Sequence, residues 1–288
     1  MRRSTSITNA LTIDVEDYFQ VSAFAPYIER SNWESRECRV ERNVDRILHL
    51  LSDGDIQATF FTLGWIAERY PTLVRRIVDG GHEIASHGYA HERVSDLSEE
   101  DFFSDIYRAK ALLEDIAGLQ VQGYRAPSFS IGLGNLWALD TLRRAGYRYS
   151  SSIYPIQHDH YGMPDAPRFA YQVCEGLIEV PPSTLRLFNR NLPSSGGGYF
   201  RLFPYALSRW MLRQVNSQDR SPAVFYFHPW EIDAGQPRMQ GIGWKTYFRH
   251  YVNIGRMEKR LAHLLQDFRW GRMDRIFLHQ HTKEVNLV

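Results

Sequence analysis

The apolar positions of this chain fall into short runs that alternate with stretches spaced three and four residues apart. Ala10 to Ile13 is an apolar run ending in acids, and Val40, Val44, Ile47, Leu48 and Leu51 then recur at helical spacing before Asp53-Gly54, which reads as a strand followed by a helix. Ala58 to Leu63 is β-branched and aromatic, and Leu73, Val74, Ile77 and Val78 line one helical face before Gly80-Gly81. Glu83 to Ser86 reads as a strand. Ser98 to Asp101 resembles a capping box and opens a helix through Phe102, Ile106, Ala109, Leu113 and Ile116 to Gly118. Val121 to Tyr124 is the next strand, Leu136, Leu139 and Leu142 the next helix, and Tyr147 to Tyr149 another strand. Residues 151 to 200 are less regular and read as loops around a strand at Ile178 to Val180. A helix at Phe203 to Gln214, a buried strand at Ala223 to Phe227 and one long helix from Tyr247 to Phe268 close the pattern.

This alternation predicts a mainly parallel sheet with helical crossovers, and 288 residues suffice for one α/β barrel. Hydrophobic residues at 43% and charged residues at 23% fit a globular core and exclude a disordered chain. With 34 basic and 33 acidic side chains, the net charge of +1 leaves no field to steer a nucleic acid. Cys38 and Cys174 are too few for a disulfide scaffold or a Cys-rich zinc site, and read as two buried thiols. The apolar stretch after Arg2-Arg3 is cut by Asp14, Glu16 and Asp17 before a signal-peptide core forms, and no run reaches transmembrane length. The expectation is a cytoplasmic protein, at most peripheral to a membrane-bound synthesis machinery.

The informative polar residues stand at strand ends: Asp14, His87, Arg125 and His228. In a parallel barrel these ends share the face on which active sites are built. His87 and His91 are spaced to reach one metal from a helical turn, and Asp14 and Glu16 share a strand face, with Asp17 just beyond. Each has a plainer account alone: a solvated acidic turn, surface or core histidines, an ordinary ion pair. Together they supply two imidazole nitrogens and a carboxylate for a divalent metal, a spare carboxylate as base, a cation to orient it and a histidine as acid. That is the inventory of a metal-assisted hydrolase.

The ordered set Thr12 to Asp17, Ser86 to His91, Arg125 to Phe129, Tyr149 to Ile153 and Tyr226 to His228 resembles the five motifs of the NodB-like polysaccharide deacetylases, carbohydrate esterase family 4. The tail resembles the C-terminal extension of the subgroup associated with exosortase-linked exopolysaccharide loci. The resemblance implies an α/β fold, a distorted (β/α)7 barrel over residues 8–235, with a C-terminal helical extension at 236–288 packed on it. It implies one divalent metal ion, zinc by its donor set, and removal of N-acetyl groups from hexosamine units of a polysaccharide substrate. His87 and His91 would be metal ligands with Glu16 or Asp17 as the carboxylate, Glu16 being favoured by its i+2 spacing from Asp14. Asp14 would be the base, Arg125 its orienting partner and His228 the acid. The backbone N–H near Ser128 would bind the oxyanion, and Tyr226 and Trp230 would touch substrate.

Three departures from the family pattern stand out. Val15 follows Asp14 where a second aspartate is usual, Tyr226 replaces a leucine of the acetyl pocket, and Ser150 replaces the aspartate of the fourth motif. Without that aspartate, the charged form of His228 loses support unless Glu231 or Asp233 substitutes. Two rival readings are a ring-amide hydrolase of small molecules and a catalytically silent carbohydrate-binding protein. His158-Asp159-His160 reads as a solvated loop or substrate contact, and Gly196 to Gly198 as a turn or lid hinge.

Overall fold

The computed structural model describes residues 7–158 and 161–278. The first half alternates as the pattern predicts, with one short helix, α2, that was not expected: β1 (Thr8–Val15), α1 (Val40–Asp53), β2 (Thr59–Thr62), α2 (Gly64–Arg69), α3 (Pro71–Asp79), β3 (Glu83–Ser86), α4 (Glu99–Ala117), β4 (Gly123–Tyr124), α5 (Trp137–Arg144) and β5 (Tyr149–Ser150). Helix α4 shows why: the Ser98 hydroxyl accepts from the Asp101 N–H, three acids occupy the first turn, and Gly118 ends the helix in the left-handed conformation.

The next stretch holds more strand than expected. An antiparallel hairpin, β6 (Tyr171–Cys174) and β7 (Leu177–Glu179), is followed by a separate two-stranded unit, β8 (Thr184–Leu187) and β9 (Arg190–Pro193). β9 buries none of its residues fully, so no alternating apolar face marks it in the sequence. The helix expected over Phe203 to Gln214 is α7 (Tyr205–Ser217), preceded by a short helix that was not expected, α6 (Gly197–Leu202), and followed by β10 (Val224–Phe227).

Among the described residues the main sheet runs β10-β1-β2-β3-β4-β5-β7, all parallel, with β6 antiparallel at one end. It forms the curled half-barrel of an α/β fold, with every parallel strand ending on one rim. Along β1, Leu11, Ile13 and Val15 belong to the core between sheet and helices, while Ala10 lies in a second cluster with Phe61, Ala85, Tyr149, Val180 and Val224 inside the barrel. The inward series therefore continues from Ala10 through Thr12 to Asp14.

The C-terminal part departs from expectation in two ways. The single helix expected over 247–268 is broken into α8 (Trp244–Tyr251) and α9 (Ile254–Asp267) because Asn253 is left-handed, φ 51°, with its amide nitrogen donating to the Arg201 carbonyl. Beyond it the tail is not wholly helical. Strand β11 (Arg269–Gly271) pairs in parallel with Thr8 to Ala10, and α10 (Met273–Phe277) inserts Met273 and Phe277 into the inner cluster. The Met273 N–H donates to Thr59 Oγ1 and the Asp274 N–H to Glu83 Oε2, so α10 stops the end of the barrel opposite the strand rim. Cys38 and Cys174 are free and half-buried rather than fully buried. No helix of the described residues is long and apolar enough to cross a membrane.

Candidate active site

Strand β1 delivers Asp14 at its last inward position, and Arg125, directly after β4, meets it: guanidinium Nη1 lies 2.6 Å from Asp14 Oδ1. Arg125 is fully buried and fully engaged, donating also to Thr12 Oγ1, the Ser151 carbonyl and Ser151 Oγ, with its plane 4.1 Å above the Phe61 ring. A guanidinium fixed on so many sides aims one carboxylate and has no freedom to follow solvent.

Beside this pair, Glu16, His87 and His91 converge, with one donor atom of each lying within 4.8 Å of the others, and all three are buried. The two histidines are not on a helical turn, as their spacing had suggested. They bracket a loop in which His91 is left-handed, φ 52°, and Asp105 of α4 accepts from the Tyr89 and Ala90 N–H groups. His87 Nδ1 lies 2.8 Å from the Arg125 carbonyl, which only accepts, so Nδ1 carries the proton and Nε2 presents its lone pair. Burial holds the His87 imidazole at about 4, below its usual range, although Asp14 pulls the other way. Burial also opposes ionisation of Glu16, yet His91, His228 and His87 outweigh it and hold this carboxyl at about 2. Glu16 Oε2 approaches His91 Nε2 at 2.7 Å but has no hydrogen-bond partner. Two imidazoles and a buried carboxylate oxygen that accepts no hydrogen bond are the donor set that a divalent cation takes.

Asp17, the alternative ligand, faces away. Its carboxylate accepts from the N–H groups of Tyr18, Arg39 and Val40 and so caps the start of α1. Trp230 is also not where a substrate contact would be: it is buried, donates from Nε1 to Glu16 Oε1 at 3.1 Å, and is stacked between the rings of His228 and His250. Tyr226 is buried beside the site, its ring 4.9 Å from Phe129 and edge-on to His228 at 6.0 Å. Ser128 sits in the turn after Arg125 with φ 55°, its hydroxyl 2.5 Å from that of Ser22.

His228 ends β10 with Nε2 pointing into the site, 3.9 Å from Asp14 Oδ2 and 3.6 Å from Glu16 Oε1. Its Nδ1 lies 2.8 Å from Glu231 Oε1. Burial disfavours its charged form, but Glu16, Glu231 and Asp14 together raise the imidazole to about 9. Glu231 is therefore the acid that backs His228, while Asp233 is taken up by Arg39, Arg42 and Asn43. Ser150 is buried and donates to Ser152 Oγ. The His-Pro-Trp-Glu spacing, a proline at the first position of a helical turn and an acid three residues after the cap, is the signal that could have singled out Glu231. Arg201 and His250, which pack behind these residues, carry no such signal. Of His158-Asp159-His160, the last two lie outside the described residues, and His158 stacks on Tyr161 at 4.0 Å.

Comparison with known proteins agrees with this geometry. Residues 34–150 match the polysaccharide deacetylase family. Residues 151–278 match a second model, a domain of unknown function (DUF3473). A peptidoglycan-N-acetylglucosamine deacetylase of Bacillus cereus is 34% identical over 82 residues, 28% of this chain and 30% of that protein. A chitooligosaccharide deacetylase of Azorhizobium caulinodans is 28% identical over 149 residues, 51% of this chain and 67% of its own length. The chain thus spans under a third of the first of these relatives. In fold it is similar to the crystal structure of a putative polysaccharide deacetylase from Mycobacterium smegmatis, with a TM-score of 0.62 at 20% identity over 96% of this chain and 92% of that one. The deacetylase match leaves out Asp14, Glu16 and His228, and it is the curl of the sheet that brings the ends of the neighbouring strands β1 and β10 to the histidines that follow β3.

Proposed function

We propose that this chain is a metal-dependent polysaccharide N-deacetylase acting on N-acetylhexosamine units. The observation that carries the reading is the convergence of an Arg125-clamped Asp14 and a Glu231-backed His228 on the Glu16, His87 and His91 cluster. A divalent ion, zinc by the N/N/O donor set, held by those three residues would supply Lewis-acid polarisation of the acetamide carbonyl. Asp14, aimed by Arg125, takes the proton of the attacking water. The backbone N–H at Ser128 shares the oxyanion, and Tyr226 walls the acetyl side. His228 then delivers a proton from Nε2 to the amine, which is too basic to leave without one. Acetate and a free amine result.

The resemblance of the tail supports membership of the exosortase-associated subgroup and a role in exopolysaccharide biosynthesis, in the cytoplasm or beside a membrane-bound synthesis machinery. The feature that favoured a silent carbohydrate binder, Ser150, loses its weight because Glu231 backs the acid instead. Possession of both His87 and His91 speaks against the ring-amide reading. Acetate release from N-acetylglucosamine oligomers, measured beside metal content, tests the proposal. The expected result is turnover that a chelator removes and zinc restores. Metal-replete protein that releases acetate from no N-acetylated saccharide rejects it.

A further inference from the structure

Behind His228 lies a buried charge that the reaction as proposed does not use. Arg201 is 1% exposed and sits on α6, outside the stretch that matches the deacetylase family. Its Nε lies 2.6 Å from Glu231 Oε2, the oxygen not taken by His228. Its other nitrogens donate to the carbonyls of His250 at 2.7 Å and Val252 at 2.9 Å, with a longer bond to that of Arg249 at 3.3 Å. The last residues of α8 and the elbow before α9 therefore hold the guanidinium, the guanidinium holds Glu231, and Glu231 holds the imidazole. The packing leaves Glu231 no slack. A Cβ built on Gly197 would fall 2.0 Å from one of its carboxylate oxygens, so this carboxylate lies directly against the backbone at the start of α6.

We infer that Arg201 is a positioning residue for His228: through Glu231 it fixes the imidazole with Nδ1 turned outward and Nε2 turned into the site, and it does so on an anchor supplied by the α8–α9 elbow. Glu231 gives Oε2 to Arg201 and Oε1 to both the ring Nδ1 and the backbone N–H of His228, so its plane, and with it the plane of the imidazole, is set by three bonds. The inference rests on the deacetylase reading for the consequence of that orientation, but not for the orientation itself. It also gives the C-terminal stretch a part in the site, since the carbonyls of residues 249, 250 and 252 belong to it.

The test compares wild type with R201K and R201M, together with the double variant R201M/E231Q, which leaves no unpaired buried carboxylate should R201M alone fail to fold. In crystal structures of the variants, His228 should lose its fixed ring orientation in R201M and R201M/E231Q and keep it in R201K. In kinetics, R201M and the double variant should lower kcat on an N-acetylated oligosaccharide about 100-fold, within the range a positioned acid supplies. KM and metal content should hold, and an aryl acetate, whose leaving group needs no proton, should be spared. R201K should recover part of the loss. Equal losses on amide and ester, loss of metal, or an unmoved His228 in both charge-removing variants would overturn the inference. A wild type without deacetylase activity would remove the proposed function, and the crystal structures would still decide whether Arg201 sets the imidazole.

Discussion

Glu16 and Asp17 are neighbours in sequence and point to opposite sides of the rim. Glu16 should be needed for metal and Asp17 for stability. Glu16→Gln is expected to lose bound metal, whereas Asp17→Ala should keep it while the unfolding free energy from chemical denaturation drops by about 2 kcal/mol, the cost of a lost cap with buried donors left unpaired. Metal analysis and a denaturation curve on both variants check this. The second prediction concerns pH. With the imidazole of His228 held above its usual range by the surrounding carboxylates, Glu231 among them, the proton donor is present at neutral pH and lost as pH rises, so kcat/KM should fall on the alkaline side. Glu231→Gln removes one of the carboxylates that favour the charged ring, and should move this limb to lower pH. Ser150→Asp should not raise it: Ser150 bonds Ser152, whose N–H donates to the buried Glu179, so an added carboxylate there meets another acid instead of the imidazole. A pH–rate profile of the three proteins decides.

Between elements, the consequential join is the start of α6. The sequence shows three glycines in a row, which speaks of backbone freedom and led to the reading of a turn or hinge. The structure gives two of them a packing reason: the Tyr226 ring lies against Gly196, and the Glu231 carboxylate against Gly197. Gly198 is exposed and meets nothing. Gly197→Ala should therefore cut acetate release severely by displacing Glu231, while Gly198→Ala should leave activity intact and raise the melting temperature slightly, as alanine favours the helix. Equal activities would separate this backbone from the site. What was legible in the sequence follows the same logic. Strands buried on both faces and the capped helix α4 announce themselves by apolar runs and capping residues, and Asp14, His87, Arg125 and His228 by standing where those runs end. The α8–α9 elbow, the two hairpins and the role of Arg201 depend on which distant group a residue meets, such as Asn253 on the Arg201 carbonyl, and no local pattern records that.

For the molecule as a whole, the tail is part of the barrel. Met273 and Phe277 fill the inner cluster, so a Met273→Ala, Phe277→Ala double variant should cost several kcal/mol, on the order of 2–5 for each buried side chain, with His87 and Asp14 untouched. Calorimetry on metal-loaded protein measures it. The neighbouring contact of α10, the Asp274 N–H on Glu83, should give stability a pH dependence. Burial, with Asp274 adding to it, raises the Glu83 carboxyl to about 7 against an ordinary value of 4.5. The folded protein then holds a proton there that the unfolded chain has lost, so the stability this group contributes is full below pH 4.5 and is lost as pH rises through 7. Glu83→Gln should flatten that decline, and an unchanged slope would assign it elsewhere.

Strand β1 is the first of the sheet to leave the ribosome and the last to be completed. Ala10 pairs with Val224, and Thr8 with Arg269, so at about 5–20 residues per second its two distant neighbours arrive on the order of ten seconds or more after it. Through that interval the nascent chain carries an open β edge next to an apolar interior, the arrangement most prone to pairing with the wrong strand. A translation product halted before β10 should be held by chaperones or aggregate, however complete its His87 and His91 loop.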